Sequence, residues 1–166
     1  SLALLKCAMN DGESISVLLG GPGMGKTLLC HLLLESIDPR HALVFLNQIN
    51  NPSVESLLQA ILHDLSIDFE NASEQTLRLR LSDFLIDRFS QASKTIIIID
   101  EAQNLSRAQL EEIRLLTNLE GRSGKAVQIL LVGQESFAQT LEGDAMESFR
   151  ARVAVVSRPV SYTHLT

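Results

Sequence analysis

The segment Gly20-Gly21-Pro22-Gly23-Met24-Gly25-Lys26-Thr27 constrains this chain more than any other. It fits G-x-x-x-x-G-K-[ST], a loop that cradles phosphates. Ile15-Ser16-Val17-Leu18-Leu19 leads into it and Leu28-Leu29-Cys30-His31-Leu32-Leu33-Leu34 leads out. The first run is short, apolar and bounded by glycine, which predicts a buried strand. The second lacks Gly and Pro and predicts a helix. Strand, glycine-rich loop and helix in that order are the context the motif requires. Glycines permit positive φ, so successive N–H groups can turn inward around an anion. The helix N-terminus behind them adds free N–H groups and a partial positive charge. Lys26 is the candidate for the β- and γ-phosphates, and the Thr27 hydroxyl for Mg²⁺. Gly20, Gly21, Pro22, Gly23, Met24, Gly25 and Leu28 complete the nucleotide-binding set by position.

The rest of the chain predicts what surrounds this loop. Leu2 to Met9 is expected as a short helix, turned into the first strand by Asn10-Asp11-Gly12. The helix from Thr27 is stopped near Ser36 by Asp38-Pro39. Ala42–Leu46 predicts a second strand. Asn51-Pro52 predicts a helix start with Pro in the first turn, carrying Leu57, Leu58, Ile61, Leu62 and Leu65 at helical spacing. A further helix is expected over 74–91, with Leu77, Leu81, Phe84, Leu85 and Phe89 on one face. Ile96-Ile97-Ile98-Ile99 has no polar alternation, so the strand from Thr95 is expected inside a parallel sheet covered on both faces. Ser106 with Gln109 forms a capping box for a helix ending at Gly121. A strand over 127–132, a helix over 135–149 weakened by Gly143, and a strand over 153–156 complete the order. Alternating strands and helices imply right-handed crossovers and a parallel five-stranded sheet in an α/β fold.

Asp100-Glu101 follows the isoleucines and supplies the second half of the chemistry. A carboxylate at the tip of an inner strand can hold a phosphate-bridging Mg²⁺, the role expected of Asp100. Glu101, one residue on, is the candidate base for an attacking water. Gln134, just past Val132-Gly133, is the candidate polar contact to the γ-phosphate. Arg150 and Arg152 precede the last strand, and either can serve as an arginine finger for a nucleotide held by a neighbouring subunit. Asn47, at the end of the second strand, is a weaker candidate to hold Glu101 until a ligand binds. His31, His41, His63 and His164 share no ligand spacing, so no metal beyond nucleotide-bound Mg²⁺ is expected.

Composition limits the partners. The 166 residues suffice for one domain with a sizeable core. The net charge of −6 gives no general attraction to nucleic acid. Cys7 and Cys30 have no disulfide or metal spacing, which suggests a reducing compartment. No run approaches a membrane span and no signal peptide is visible, so a cytoplasmic location is expected. The helical pattern starts within the first residues, as in a piece of a longer chain.

Together, Gly20–Thr27, Ile96–Leu105 (IIIIDEAQNL), Glu111–Glu120 (EEIRLLTNLE) and Gln128–Gln134 (QILLVGQ) resemble the ATPase domain of ExeA/GspA-type general secretion pathway proteins. Those are AAA+ ATPases, with the TniB and MuB transposition ATPases as more distant relatives. The resemblance covers nearly the whole chain. It implies a three-layer α/β/α P-loop core over 1–159, ATP hydrolysis with Mg²⁺, and homo-oligomers assembled through the nucleotide site. By motif position it supports Lys26 and Thr27 for nucleotide, Asp100 and Glu101 for Mg²⁺ and water, Gln134 as sensor, and an arginine of Arg150–Val153 at a subunit contact. Gly21-Pro22 is closer to general AAA+ loops than to the secretion members. The helical lid expected after such a core is not read in this chain. Two roles follow, either driving assembly of secretion machinery at the cell envelope or acting as an ATP-switched DNA-binding adaptor in transposition. Val160–Thr166 matches what a sequencing-library adapter encodes in one frame and is set apart from the fold.

Overall fold

A computed structural model of the chain describes residues 14–21, 25–121 and 124–157. Five strands form the main sheet: β1 (Ile15–Leu19), β2 (Ala42–Leu46), β3 (Thr95–Ile99), β6 (Val127–Gly133) and β7 (Val153–Ser157). A separate two-residue ladder pairs β4 (Glu120–Gly121) with β5 (Gly124–Lys125) in antiparallel fashion. The helices are α1 (Lys26–Ser36), α2 (Val54–Asp64), α3 (Glu74–Ser90), α4 (Arg107–Leu116), α5 (Ser136–Glu142) and α6 (Glu147–Arg150).

The main sheet runs β2-β3-β6-β1-β7 with every pair parallel. This order puts β6 between the strand entering the phosphate loop and the strand bearing the acidic pair. All three end at the same edge: Leu19 is level with Gly133, and Ile99 with Leu131.

Side-chain alternation along the strands divides the core in two. Leu18, Ile96, Ile98, Leu130 and Val132 pack with Cys30 and Leu33 of α1. Ile15, Val17, Leu19, Ile97, Ile99, Ile129 and Leu131 pack against the side carrying α2 to α6. Every residue of β3 is buried, as the isoleucine run predicts. Each of its isoleucine side chains removed from water contributes about 1.5–3 kcal/mol. The result is the expected three-layer α/β/α arrangement around a parallel five-stranded sheet.

Three local expectations change. The helix predicted from Asn51-Pro52 begins later, because the Ser53 side chain accepts the Ser56 N–H and becomes the cap. The helix predicted to reach Gly121 stops at Leu116, and Glu120–Gly121 instead joins the small hairpin, closed by a Lys125–Glu120 ion pair at 3.2 Å. The helix predicted over 135–149 is cut at Gly143, whose backbone is extended (ψ 150°). The crossover from β2 to β3 carries two helices, as expected, with α3 ending at Ser90. The helix expected over 2–9 and the tail 160–166 lie outside the described residues.

Candidate nucleotide site

The phosphate loop opens at Gly20 and closes at Gly25. Gly25 has φ +81° with no atom within 4 Å of a Cβ placed there, so its glycine is required by backbone conformation and not by crowding. The next residue begins α1, and the N-terminus of that helix has no side-chain cap. Ser53, Ser73 and Ser106 cap α2, α3 and α4 through their hydroxyls. The first N–H groups of α1 therefore have no side-chain cap, as an anion site needs. Lys26 is buried, and its Nζ donates to the Gly20 carbonyl at 2.8 Å, which holds the ammonium across the loop. Pro22, Gly23 and Met24 lie outside the described residues, as does the side chain of Thr27. Leu28 is exposed on α1.

Asp100 and Glu101 stand at the tip of β3, two strands away. The Asp100 N–H continues the ladder to the Leu46 carbonyl at 2.8 Å, and its buried carboxylate accepts the Glu101 N–H at 2.8 Å. Glu101 has φ 54°, a left-handed conformation that costs a non-glycine residue about 1–3 kcal/mol. A single 3-10 turn, Ala102–Asn104, follows and brings Gln103 back over Glu101. The Gln103 Nε2 donates to the Glu101 carboxylate.

The two halves open at one edge of the sheet, since β1, β6 and β3 end together there. Burial pushes the Cys30 thiol from 9.0 up to about 12, the negative charge of Asp100 adds to the rise, and the positive charge of Lys26 opposes it. The charges of Asp100 and Lys26 thus bear on the same thiol with opposite sign, with burial the largest cause. An uncapped helix N-terminus and a buried lysine suit phosphate oxygens, and a buried carboxylate suits a hard divalent cation. The donor set fits a magnesium–nucleotide pair.

The AAA domain family matches residues 9–141 of the sequence, spanning both halves of this site. The chain belongs to the AAA domain family. It is 30% identical over 156 residues to General secretion pathway protein A of Aeromonas hydrophila, a match covering 92% of the chain and 28% of that relative. The resemblance to the secretion-pathway type therefore stands. Among solved structures, the Aeropyrum pernix ORC2 protein, described as ADPNP-ADP complexes, superposes with a TM-score of 0.72 at 14% identity over 95% of this chain and 45% of that one. Cdc6p from Pyrobaculum aerophilum gives 0.72 at 19% identity, covering 95% of this chain and 44% of that one. These two share the fold. The chain spans under a third of the curated relative's length.

The remaining candidates of this AAA domain separate clearly. Gln134 sits at the end of β6, where its N–H donates to the Gln103 Oε1 at 3.1 Å. The Arg150 guanidinium donates to the carbonyls of Leu141 at 2.6 Å and Gly143 at 2.8 Å, closing the end of α5. Arg152 makes no side-chain hydrogen bond or ion pair with the described residues. Asn47 is exposed and does not hold Glu101; the partner of that carboxylate is Gln103.

Two glutamines and a glycine carry weight that sequence reasoning missed. Gln109, expected only to complete the capping box with Ser106, also donates through Nε2 to the carbonyls of Asn51 at 2.7 Å and Ser53 at 2.8 Å. It thereby ties the loop after β3 to the loop after β2. Gly133 lies under Gln103, whose Oε1 would be 3.1 Å from an added Cβ. The signal for Gln103 was its place two residues beyond Glu101; its second partner, the Gln134 N–H, is distant in sequence. Among the described residues no helix is long and apolar enough to cross a membrane and no further metal-binding cluster occurs.

Proposed function

We propose that this AAA domain binds ATP with Mg²⁺ and hydrolyses it to ADP and phosphate. What carries the reading is the meeting of Lys26, at an uncapped helix N-terminus, with a buried Asp100 and a strained Glu101 at one edge of the sheet. Lys26 and the α1 N-terminus bind the phosphates, and Thr27 and Asp100 hold the metal. The metal, when bound, neutralises charge on the phosphate oxygens. Glu101 takes the proton of the attacking water, and the Gln134 side chain reads the γ-phosphate. Arg152, with no side-chain hydrogen bond or ion pair among the described residues, is the better candidate for a finger reaching a neighbouring subunit's nucleotide; Arg150 is committed to α5. Homo-oligomers through the nucleotide site follow from that role.

We assign the domain to the assembly of secretion machinery, following the name of the Aeromonas relative. The acidic balance of the chain disfavours the alternative of a DNA-binding adaptor. Phosphate release from ATP, measured with and without Mg²⁺, tests the activity. Glu101→Gln is expected to keep ATP affinity and to lower turnover about 10²–10⁴-fold. Turnover at the wild-type rate in that variant removes Glu101 from its role.

A further inference from the structure

A continuous file of hydrogen bonds joins the phosphate loop to the base. The Lys26 Nζ donates to the Gly20 carbonyl, and the Gly20 N–H donates to the Gly133 carbonyl at 3.1 Å. The other end of that same peptide unit, the Gln134 N–H, donates to the Gln103 Oε1 at 3.1 Å. The Gln103 Nε2 then donates to the Glu101 carboxylate. The peptide between Gly133 and Gln134 and the Gln103 amide each accept at oxygen and donate at nitrogen in one direction, so each bond polarises the next. Only this orientation of the Gln103 amide satisfies both neighbours, since an N–H faces its oxygen and a carboxylate its nitrogen.

We propose that Gln103 is the positioning residue for Glu101, fixing the carboxylate in its reactive orientation from the tip of β6. The inference rests on Glu101 being the base. Three observations support the positioning role. Glu101 sits in left-handed backbone, which needs an external hold. The 3-10 turn over Ala102–Asn104 gives Gln103 a fixed origin. Gly133 leaves room for the amide, and a methyl there would press on its Oε1 at 3.1 Å. Gln103 touches Glu101 and the main chain at the tip of β6, and it acts through the carboxylate it holds.

The test uses the whole chain with Gln103→Met, which keeps the length of the side chain and deletes both hydrogen bonds, and Gln103→Glu. The second keeps an acceptor for the Gln134 N–H but sets a like charge beside Glu101. Both are expected to lower kcat about 10- to 100-fold while the Kd of a fluorescent ATP analogue stays within about twofold. Gly133→Ala, which leaves the glutamine in place, is expected to lower kcat about threefold or more at unchanged Kd. Hydrogen exchange at the Gln134 amide gives a readout independent of turnover, expected to be about tenfold faster in Gln103→Met. Wild-type kcat in Gln103→Glu, an equal loss of affinity and rate, or unchanged exchange at Gln134 each overturns the inference. Should Gln103→Met not fold, Gln103→Glu and Gly133→Ala decide by the same criteria. An inactive Glu101→Gln beside a fully active Gln103→Glu overturns this inference alone; a fully active Glu101→Gln overturns the reading beneath it.

Discussion

The loop after β1 and the loop after β3 lie at one edge of the sheet, make up the proposed nucleotide site, and are built from opposite materials. The first is made of main chain. Its described glycine at the helix start, Gly25, has φ +81° and open space around it, and the Lys26 side chain folds back onto Gly20. The second is made of side chains. Asp100 accepts from Glu101, Gln103 holds Glu101, Ser106 and Gln109 cap each other, and Gln109 reaches across to Asn51 and Ser53. A main-chain cradle binds many phosphates alike and depends on local conformation. A side-chain network can be set differently at each position and depends on partners brought by the fold.

The strongest attempt to break this contrast is Lys26→Ala. It removes the one charged side chain described in the main-chain cradle and should weaken ATP binding about 100-fold or more, as a titration with a fluorescent analogue would read. Affinity near the wild-type value would mean that the amides alone carry the triphosphate. Gln109→Ala strikes the side-chain loop instead. Gln109 is fully buried, and its loss leaves the Asn51 and Ser53 carbonyls without that donor. Stability should fall by about 2 kcal/mol, seen as a melting temperature lower by roughly 4–8 °C, with the affinity for ATP nearly retained. A loss of affinity instead would show that the two loops are one unit.

Gly25→Ala sharpens the main-chain side. It places a Cβ in left-handed backbone at a cost of about 1–2 kcal/mol without any clash. A fall in affinity of roughly 5–30-fold is expected by the same titration. The smallest effect concerns Cys30, buried on α1 against the sheet. Its pKa rises from 9.0 in the unfolded chain to about 12 in the fold, so the folded state holds this proton more tightly. The resulting stabilisation is complete below pH 9.0 and is lost as pH rises toward 12. Urea midpoints measured from pH 8 upward should therefore fall less steeply in Cys30→Ala than in the wild type. Equal slopes would show that burial does not raise the pKa of this thiol.

Sequence alone determined whatever depends on neighbours along the chain. The glycine entry to α1 at Gly25 was legible because positive φ and helix entry are local requirements. The four isoleucines specified a strand covered on both faces because burial leaves no polar alternation. The Ser106–Gln109 capping box was legible because its partners are three residues apart. Tertiary structure decided everything that joins distant segments. The order β2-β3-β6-β1-β7 inserts β6 between the two halves of the site, so one peptide of its tip touches both Gly20 and Gln103. The same packing placed Arg150 on the carbonyls left open where the chain breaks at Gly143, and left Asn47 away from Glu101. Pairings across dozens of residues are fixed by how strands and helices pack, which no spacing along the chain records.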